Sequence, residues 1–259
     1  LAESVGELAF YAAVALPVLA LVKRFPYRYF FMTHRLLAVV YLALVFHAVV
    51  LLRFADWPTP LGWLTGLLLL GGSAAAVHIL LRRVGSRRKA VGAVHQRQLL
   101  PDVGVLDIEI QLKDRWPGHE AGQFAFVTFD QAEGAHPFTL TSAWRGDGRL
   151  RLLIKGLGDY TRSLAANLQV GQLVTVEGPY GRFNFRGGRQ RQIWIGGGIG
   201  ITPFVARMQA LAQHPDGKVI DLFHTTTDRD EQALALLRRD AAGARVRLHV
   251  LVDATDGRL

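Results

Sequence analysis

The chain of 259 residues contains no cysteine, which removes disulfides, cysteine-ligated iron–sulfur clusters and thiol catalysis and leaves histidine and carboxylates to hold any metal. Acidic side chains are scarce at first: before about residue 82 only Glu3, Glu7 and Asp56 occur. That scarcity argues against soluble amphipathic helices, which need a charged face. The opening residues also lack a basic region followed by a short apolar core and a small-residue cleavage site. No signal peptide is expected, and the chain reads as beginning in mid-protein. The net charge of +9 and the pI near 10.3 do not point to nucleic acid, because many Lys and Arg cluster where apolar segments emerge. The basicity is read as topology and attraction to lipid headgroups.

Three apolar runs cover roughly residues 7–22, 30–52 and 61–81. About 20 residues cross a bilayer, so the second and third are long enough and the first is near the lower limit. Lys23, Arg24 and Arg28 separate the first two runs, and Arg82, Arg83, Arg87, Arg88 and Lys89 follow the third. The 53–60 loop holds only Arg53 and Asp56. Positive charge stays on the cytoplasmic side, which places residues after 82 in the cytosol in a multi-pass cell-membrane protein. Within the runs, His34, His47 and His78 need an explanation, since an intramembrane histidine is costly. His34 and His47 are 13 residues apart on one run. At about 1.5 Å per residue this is roughly 20 Å, a reach that suits one imidazole for each of two haems. At about 100° per residue, however, the second ring ends roughly 140° from the first face, so tilt, curvature or a bulge must make up the difference. The other reading is an interfacial histidine bonded to a backbone carbonyl, which is the expectation for His78.

From about 90 to 178, short alternating strands separated by Gly, Pro and Asp predict a small antiparallel β-barrel, with strands at 103–111, 123–129, 138–142, 150–155 and 172–177 and one helix at 161–167. From about 191 the texture becomes strand–helix alternation, the signature of a parallel α/β sheet, with the boundary at 184–189. Three motifs sit on this frame. His136-Pro137-Phe138-Thr139, running on to Thr141 and Ser142, offers an imidazole, an aromatic plane and hydroxyls on an extended strand. Lys155 supplies a cation, and Gly158 opens a helix through Asp159, Tyr160 and Thr161 whose free N–H groups favour an anion. Gly196-Gly197-Gly198-Ile199-Gly200, followed by Ile201, Thr202 and Pro203, lies between an apolar strand and a helix, the context of a nucleotide-binding turn. In this order they read as an FAD site followed by a nicotinamide-nucleotide site. No acid, base or nucleophile is assigned as catalytic, since hydride chemistry belongs to the cofactors. Thr225, Thr226, Thr227 and Arg229 suit a 2′-phosphate or, equally, a solvent-facing turn, which leaves NADPH and NADH both open.

These segments, with Gly178-Pro179-Tyr180-Gly181, resemble the ferredoxin–NADP reductase module of the ferric reductase and NADPH oxidase superfamily, and the His34/His47 run resembles its fifth transmembrane helix. The resemblance implies three domains: transmembrane helices of a haem domain over 1–84, an FAD-binding barrel over 85–187 and an incomplete NAD(P)H domain over 188–259. It implies haem b on His34 and His47, and a path from NAD(P)H through FAD and haem to oxygen or ferric ion outside. His136 and Lys155 would meet flavin phosphate or ribityl groups, Phe138 the isoalloxazine and Thr139 its reactive edge. Gly158 to Thr161 would hold the pyrophosphate, and Gly197, Gly198, Gly200 and Thr202 would line the nucleotide. Two departures accompany it. The family's haems need two more histidines on an earlier helix, and the chain stops at Leu259 before the family's Cys-Gly-Pro segment and terminal aromatic, so a fragment is expected whose partners include the remaining helices. The alternatives are a membrane-tethered flavin reductase without haem, serving a quinone or a protein, and a non-catalytic cytochrome or interaction subunit.

Overall fold

The computed structural model describes residues 1–21, 27–81 and 83–253, without the side chains at 20, 27–32 and 34. Of the charges used to orient the apolar runs, Lys23, Arg24, Arg82 and the side chain of Arg28 lie outside that description. The chain divides into two compact units, Leu1–Ser86 and Arg87–Leu259.

The first unit is three helices: α1 (Ala2–Ala20), α2 (Tyr27–Leu51) and α3 (Pro60–Leu80). Thr59 starts α3 by accepting the Gly62 N–H at 3.1 Å, and Pro60, which has no N–H to lose, takes the first helical position. α1 is apolar over Ala2–Leu19 and α3 over Pro60–Leu80, each long enough to cross a bilayer; α2 is 25 residues long, and its apolar stretch among the described residues is Arg35–Leu51. Arg35 lies about two turns inside the N-terminal end of α2, which continues through it. Its guanidinium donates to the Leu80 carbonyl at the end of α3, at 3.4 Å. On α3 only Gly62 and Ala76 are buried, while Trp63, Leu67 and Leu70 are more than 70% exposed. An apolar surface of this extent is matched by hydrocarbon or by other helices better than by water.

The second unit opens with β1 (Lys89–Leu100), which the sequence pattern did not predict. A bulge between Val94 and Gln96 breaks its alternation, so a period-2 search loses the strand at His95. Then follow β2 (Val105–Leu112), β3 (Phe124–Thr128), β4 (His136–Thr139), β5 (Arg149–Lys155), α4 (Asp159–Asn167) and β6 (Leu173–Tyr180). The six strands form one antiparallel sheet in the order β4-β3-β6-β1-β2-β5. Alternate residues of β2 and β5, among them Ile108, Ile110, Leu150 and Leu152, point into a core that Leu164 and Leu168 of α4 close. The two edge strands are brought together just past β4, where the Thr141 N–H donates to the Arg151 carbonyl at 2.8 Å.

Next come β7 (Arg191–Gly197), α5 (Thr202–Gln213), β8 (Val219–Thr226), α6 (Glu231–Gly243) and β9 (Arg247–Val252), a parallel sheet in the order β7-β8-β9 with crossover helices. Its core gathers Trp194, Phe204, Met208, Leu222 and Leu237. The turn-rich boundary is packed rather than free. Phe185 lies 5.0 Å from Trp194 and 5.8 Å from Phe204, ring centre to ring centre, which ties the stretch before β7 to the second core.

α4 is held at its C-terminal end by Arg97 of β1, whose guanidinium donates to the Leu168 carbonyl and, at 2.6 Å, to the Ala165 carbonyl. A cation placed there also suits the negative end of the helix. Arg97→Ala should cost about 1–3 kcal/mol, read as a lower denaturant midpoint, because two part-buried carbonyls lose their donor. Arg97→Lys should fall between the two, and an unchanged midpoint in Arg97→Ala would show that the clamp carries no stability.

Candidate functional site

The His136 strand and the Gly158 helix come together. The His136 ring stacks on Tyr160 of α4, with centroids 4.3 Å apart and planes at 23°. The period of β4 then divides the motif between two faces. His136 and Phe138 lie opposite Val127 and Ala125, both fully buried, so they share the core-facing side, and Phe138 packs edge-on against Phe129 at 6.0 Å. Pro137 and Thr139 lie opposite Phe126 and Phe124 on the other side. Thr141 is fully buried and its hydroxyl donates to the Thr139 carbonyl at 3.3 Å, while the Ser142 hydroxyl accepts the Arg151 N–H at 3.2 Å. Both join strands at the sheet edge. Gly158 caps α4 in an extended conformation, with its N–H donated to the Thr161 hydroxyl at 3.0 Å. Asp159 is fully exposed and pairs with Arg162 at 2.5 Å. The N–H groups of the first turn have no acceptor within the helix.

Burial pushes the Tyr160 hydroxyl up to about 12, with Glu133 and Asp130 adding to it, so the phenol is neutral at any working pH. Burial also lowers His136, against the opposing pull of Glu133 at 3.6 Å. The stacked pair is therefore two neutral rings, and positive charge near α4 comes from Arg162.

Lys155 ends β5, three residues before Gly158. It lines a cleft of about 90 Å³ together with Leu153, Gly198, Ile199, His224 and Thr226, where the antiparallel sheet meets the glycine turn. In that turn Gly198 has φ +49°, a left-handed conformation that favours glycine, and a side chain added at Gly198 or Gly200 would meet open space. Gly197 ends β7, beside Thr225 of β8. Ile201 and Thr202 turn inward: Ile201 joins the core, and the Thr202 hydroxyl donates to the Ile199 carbonyl at 3.1 Å, with Pro203 in the first turn of α5. His224, which the sequence reading missed, is buried and its Nδ1–H donates to the Gly196 carbonyl at 2.8 Å, pinning the start of the turn. Its only signal was a polar residue at an inward position of an apolar strand. Two groups offered for a 2′-phosphate are already engaged, since the Thr226 hydroxyl donates to the Asp228 carbonyl at 3.0 Å and Arg229 pairs with Glu231 at 2.6 Å.

In the helical unit the side chain of His34 lies outside the description. His47 donates its Nδ1–H to the Ala2 carbonyl of α1 at 2.8 Å. His78 is exposed in the last turn of α3.

Residues 95–184 match the model of an FAD-binding domain. The chain is 29% identical over 215 residues to respiratory burst oxidase homolog protein E of Arabidopsis thaliana, covering 70% of this chain and 21% of that protein. It is 37% identical over 81 residues to ferric reduction oxidase 5 of the same plant, covering 29% of this chain and 12% of that one. The ferredoxin reductase in carbazole 1,9a-dioxygenase superposes with a TM-score of 0.53 at 21% identity over 63% of this chain and 50% of that chain, a likeness of fold. The chain spans less than half the length of the curated relatives it matches. The fold is ferredoxin reductase-like, and its antiparallel sheet carries the match to an FAD-binding domain. Its curated relatives include a respiratory burst oxidase homolog and a ferric reduction oxidase, the two kinds of protein that the sequence motifs resemble.

Burial lowers three imidazoles of the module: His119, which donates its Nε2–H to the Ser142 carbonyl at 2.8 Å, His136 and His224. A histidine held below its unfolded value of about 6.5 contributes stability that is complete above that pH and is lost as pH falls towards the lower folded value. The melting temperature of the module should therefore drop between pH 7.5 and 5.5. His119→Gln, whose amide can still serve Ser142, should flatten the slope. A melting temperature independent of pH over this range would contradict the burial argument.

Proposed function

We propose that this chain is part of a multi-pass membrane flavocytochrome in which electrons from cytosolic NADPH or NADH pass by way of FAD and haem b to oxygen or ferric ion on the far side. The observation that supports it most is the His136–Tyr160 stack, which sets the flavin strand beside the open N-terminus of α4. In this reading the antiparallel sheet is a closed barrel over 85–187 and the nucleotide domain begins at 188. Three spans cross the bilayer, α2 among them, with 53–60 outside.

FAD fits the residues present. The strand and helix give it a ring surface and unpaired N–H groups, and a side chain added at Gly158 would meet nothing nearer than the Thr161 hydroxyl at 3.9 Å, which leaves room for a phosphate at the backbone. FAD supplies the conversion of a hydride into single electrons. The protein's part is orientation. Thr139, on the face away from the core, would meet the flavin edge, and Asp159, Tyr160 and Thr161 would offer N–H groups to the pyrophosphate. Lys155, from its place in the cleft, would meet a phosphate of the nicotinamide nucleotide, and Gly197, Gly198 and Gly200 would give that nucleotide close backbone approach. Haem b also fits His47, whose Nδ1 is taken by a carbonyl and whose Nε2 has no hydrogen bond among the described residues, the donor set of a histidine ligand. The same bond favours a second reading, a tethered flavin reductase in which His47 only joins helices.

The flavin assignment is tested at Gly158. Its backbone is extended and its surroundings open, so Gly158→Ala and Gly158→Val should melt like the wild type. Gly158→Val should nevertheless retain FAD on the order of tenfold more weakly, about 1.4 kcal/mol, because the valine occupies the phosphate's place. Wild-type FAD content in the valine variant would remove the assignment.

The electron path is tested in the full-length protein. His34→Leu should mainly remove the cytoplasmic haem and His47→Leu the outer one, while NAD(P)H still bleaches the flavin in both. Full haem content in the double variant would leave the tethered reductase as the better account.

A further inference from the structure

Two side chains of α2 dock on their neighbours by the same device. Tyr41 donates its hydroxyl to the Leu68 carbonyl of α3 at 3.2 Å, and a side chain on Gly72, four residues further on, would collide with that hydroxyl. His47 donates its Nδ1–H to the Ala2 carbonyl of α1 at 2.8 Å, and a side chain on Gly6, again four residues on, would fall inside the imidazole ring. The reason is helix geometry. The carbonyl of residue i points along the axis at the N–H of residue i+4, so only a glycine at i+4 leaves the second lone pair of that oxygen open to a bulky donor from outside. Gly6 is itself buried, as are Ala9 of α1 and Ala38 of α2.

We infer that Gly6 and the Ala2 carbonyl form a socket that holds the His47 imidazole in its Nδ1–H tautomer, which makes Gly6 a positioning residue for the outer haem ligand. The inference rests on the reading of His47 as a ligand and adds what fixes its direction and donor strength. Because a carbonyl only accepts, the proton is on Nδ1 and the lone pair on Nε2. A ligand ring whose N–H is held by a carbonyl is also a stronger donor than one whose N–H is free.

The test uses the full-length protein in membranes, with FAD content as the measure of folding. Gly6→Ala should shift the paramagnetic resonance of the outer haem and move its midpoint potential in the positive direction, since the imidazole loses its acceptor and becomes a weaker donor to the ferric state. Gly72→Ala, an equal change on the other side of α2, should leave both haems as in the wild type. In a His47→Met background, where no imidazole enters the socket, Gly6→Ala should have no effect on the outer haem. If Gly6→Ala fails to accumulate alone but accumulates with His47→Met, the collision with the ring is the cause and the socket stands; if both fail, α1 packing is the cause and the socket is wrong. A wild-type outer haem in Gly6→Ala, or an equal disturbance in Gly72→Ala, also overturns it. Both haems persisting in His47→Leu would instead sink the ligand reading, a separate result.

Discussion

Arg151 is the residue through which the flavin module is tied together. Its guanidinium grips Asp107 of β2 with two bonds, at 2.9 and 2.5 Å, its N–H reaches the Ser142 hydroxyl and its carbonyl takes the Thr141 N–H. One residue thus fixes β5 to β2 on one side and to the continuation of β4 on the other. β4 is an edge strand of four residues, paired only with β3 along its length, and a strand so short has little register energy of its own. Its position is set from its far end, by Thr141 and Ser142. The Arg151 charge is one-fifth exposed and Asp107 less, so the pair is shielded from solvent, and removing either partner would leave a partly buried charge alone. Asp240 of α6 adds to the field that keeps Arg151 charged, which couples the same residue to the nucleotide sheet.

Once β4 is placed, its two-residue period decides what each motif residue is able to do. Side chains one apart face opposite ways. His136 and Phe138 must then share surroundings, and these are the buried side with Phe129 and Tyr160; Pro137 and Thr139 share the side with Phe124 and Phe126. Phe138 is committed to packing as much as to any ligand. The ring most open to α4 and its free N–H groups is the stacked His136–Tyr160 pair, and Tyr160 comes from a different motif.

The sequence was most legible where pattern and chemistry coincided. β2 and β5 alternate cleanly and were found within two residues of their ends, and Gly158 was expected at a helix start and caps α4. β1 was lost to its bulge, while α2 was found as the 30–52 run although it carries Arg35, a charge whose partner is 45 residues away and invisible to any local window. Lys155 was read with Gly158, three residues on, but β5 ends between them. The strand carries Lys155 out on the same face as Arg151 and Leu153, into the cleft with the glycine turn, while the chain bends away at Gly156. Thr141 and Ser142 also fasten the sheet edge, a role that only the partner on β5 reveals.

In the helical unit the polar groups that make α2 look unsuited to hydrocarbon are those that hold it. Arg35, Tyr41 and His47 all donate to main-chain carbonyls, of Leu80, Leu68 and Ala2, two on α3 and one on α1. Where there is no water, an unpaired donor costs several kcal/mol, and these three carbonyls are open to a donor because Leu80 ends α3 and Gly72 and Gly6 leave those of Leu68 and Ala2 uncovered. Apolar side chains alone would let α2 rotate against its neighbours with little change in energy, since lipid tails and leucines are alike to them. Three directional bonds to two helices remove that freedom. The rotation of α2 is therefore fixed by its polar residues, and with it the direction in which any ligand histidine on that helix must look.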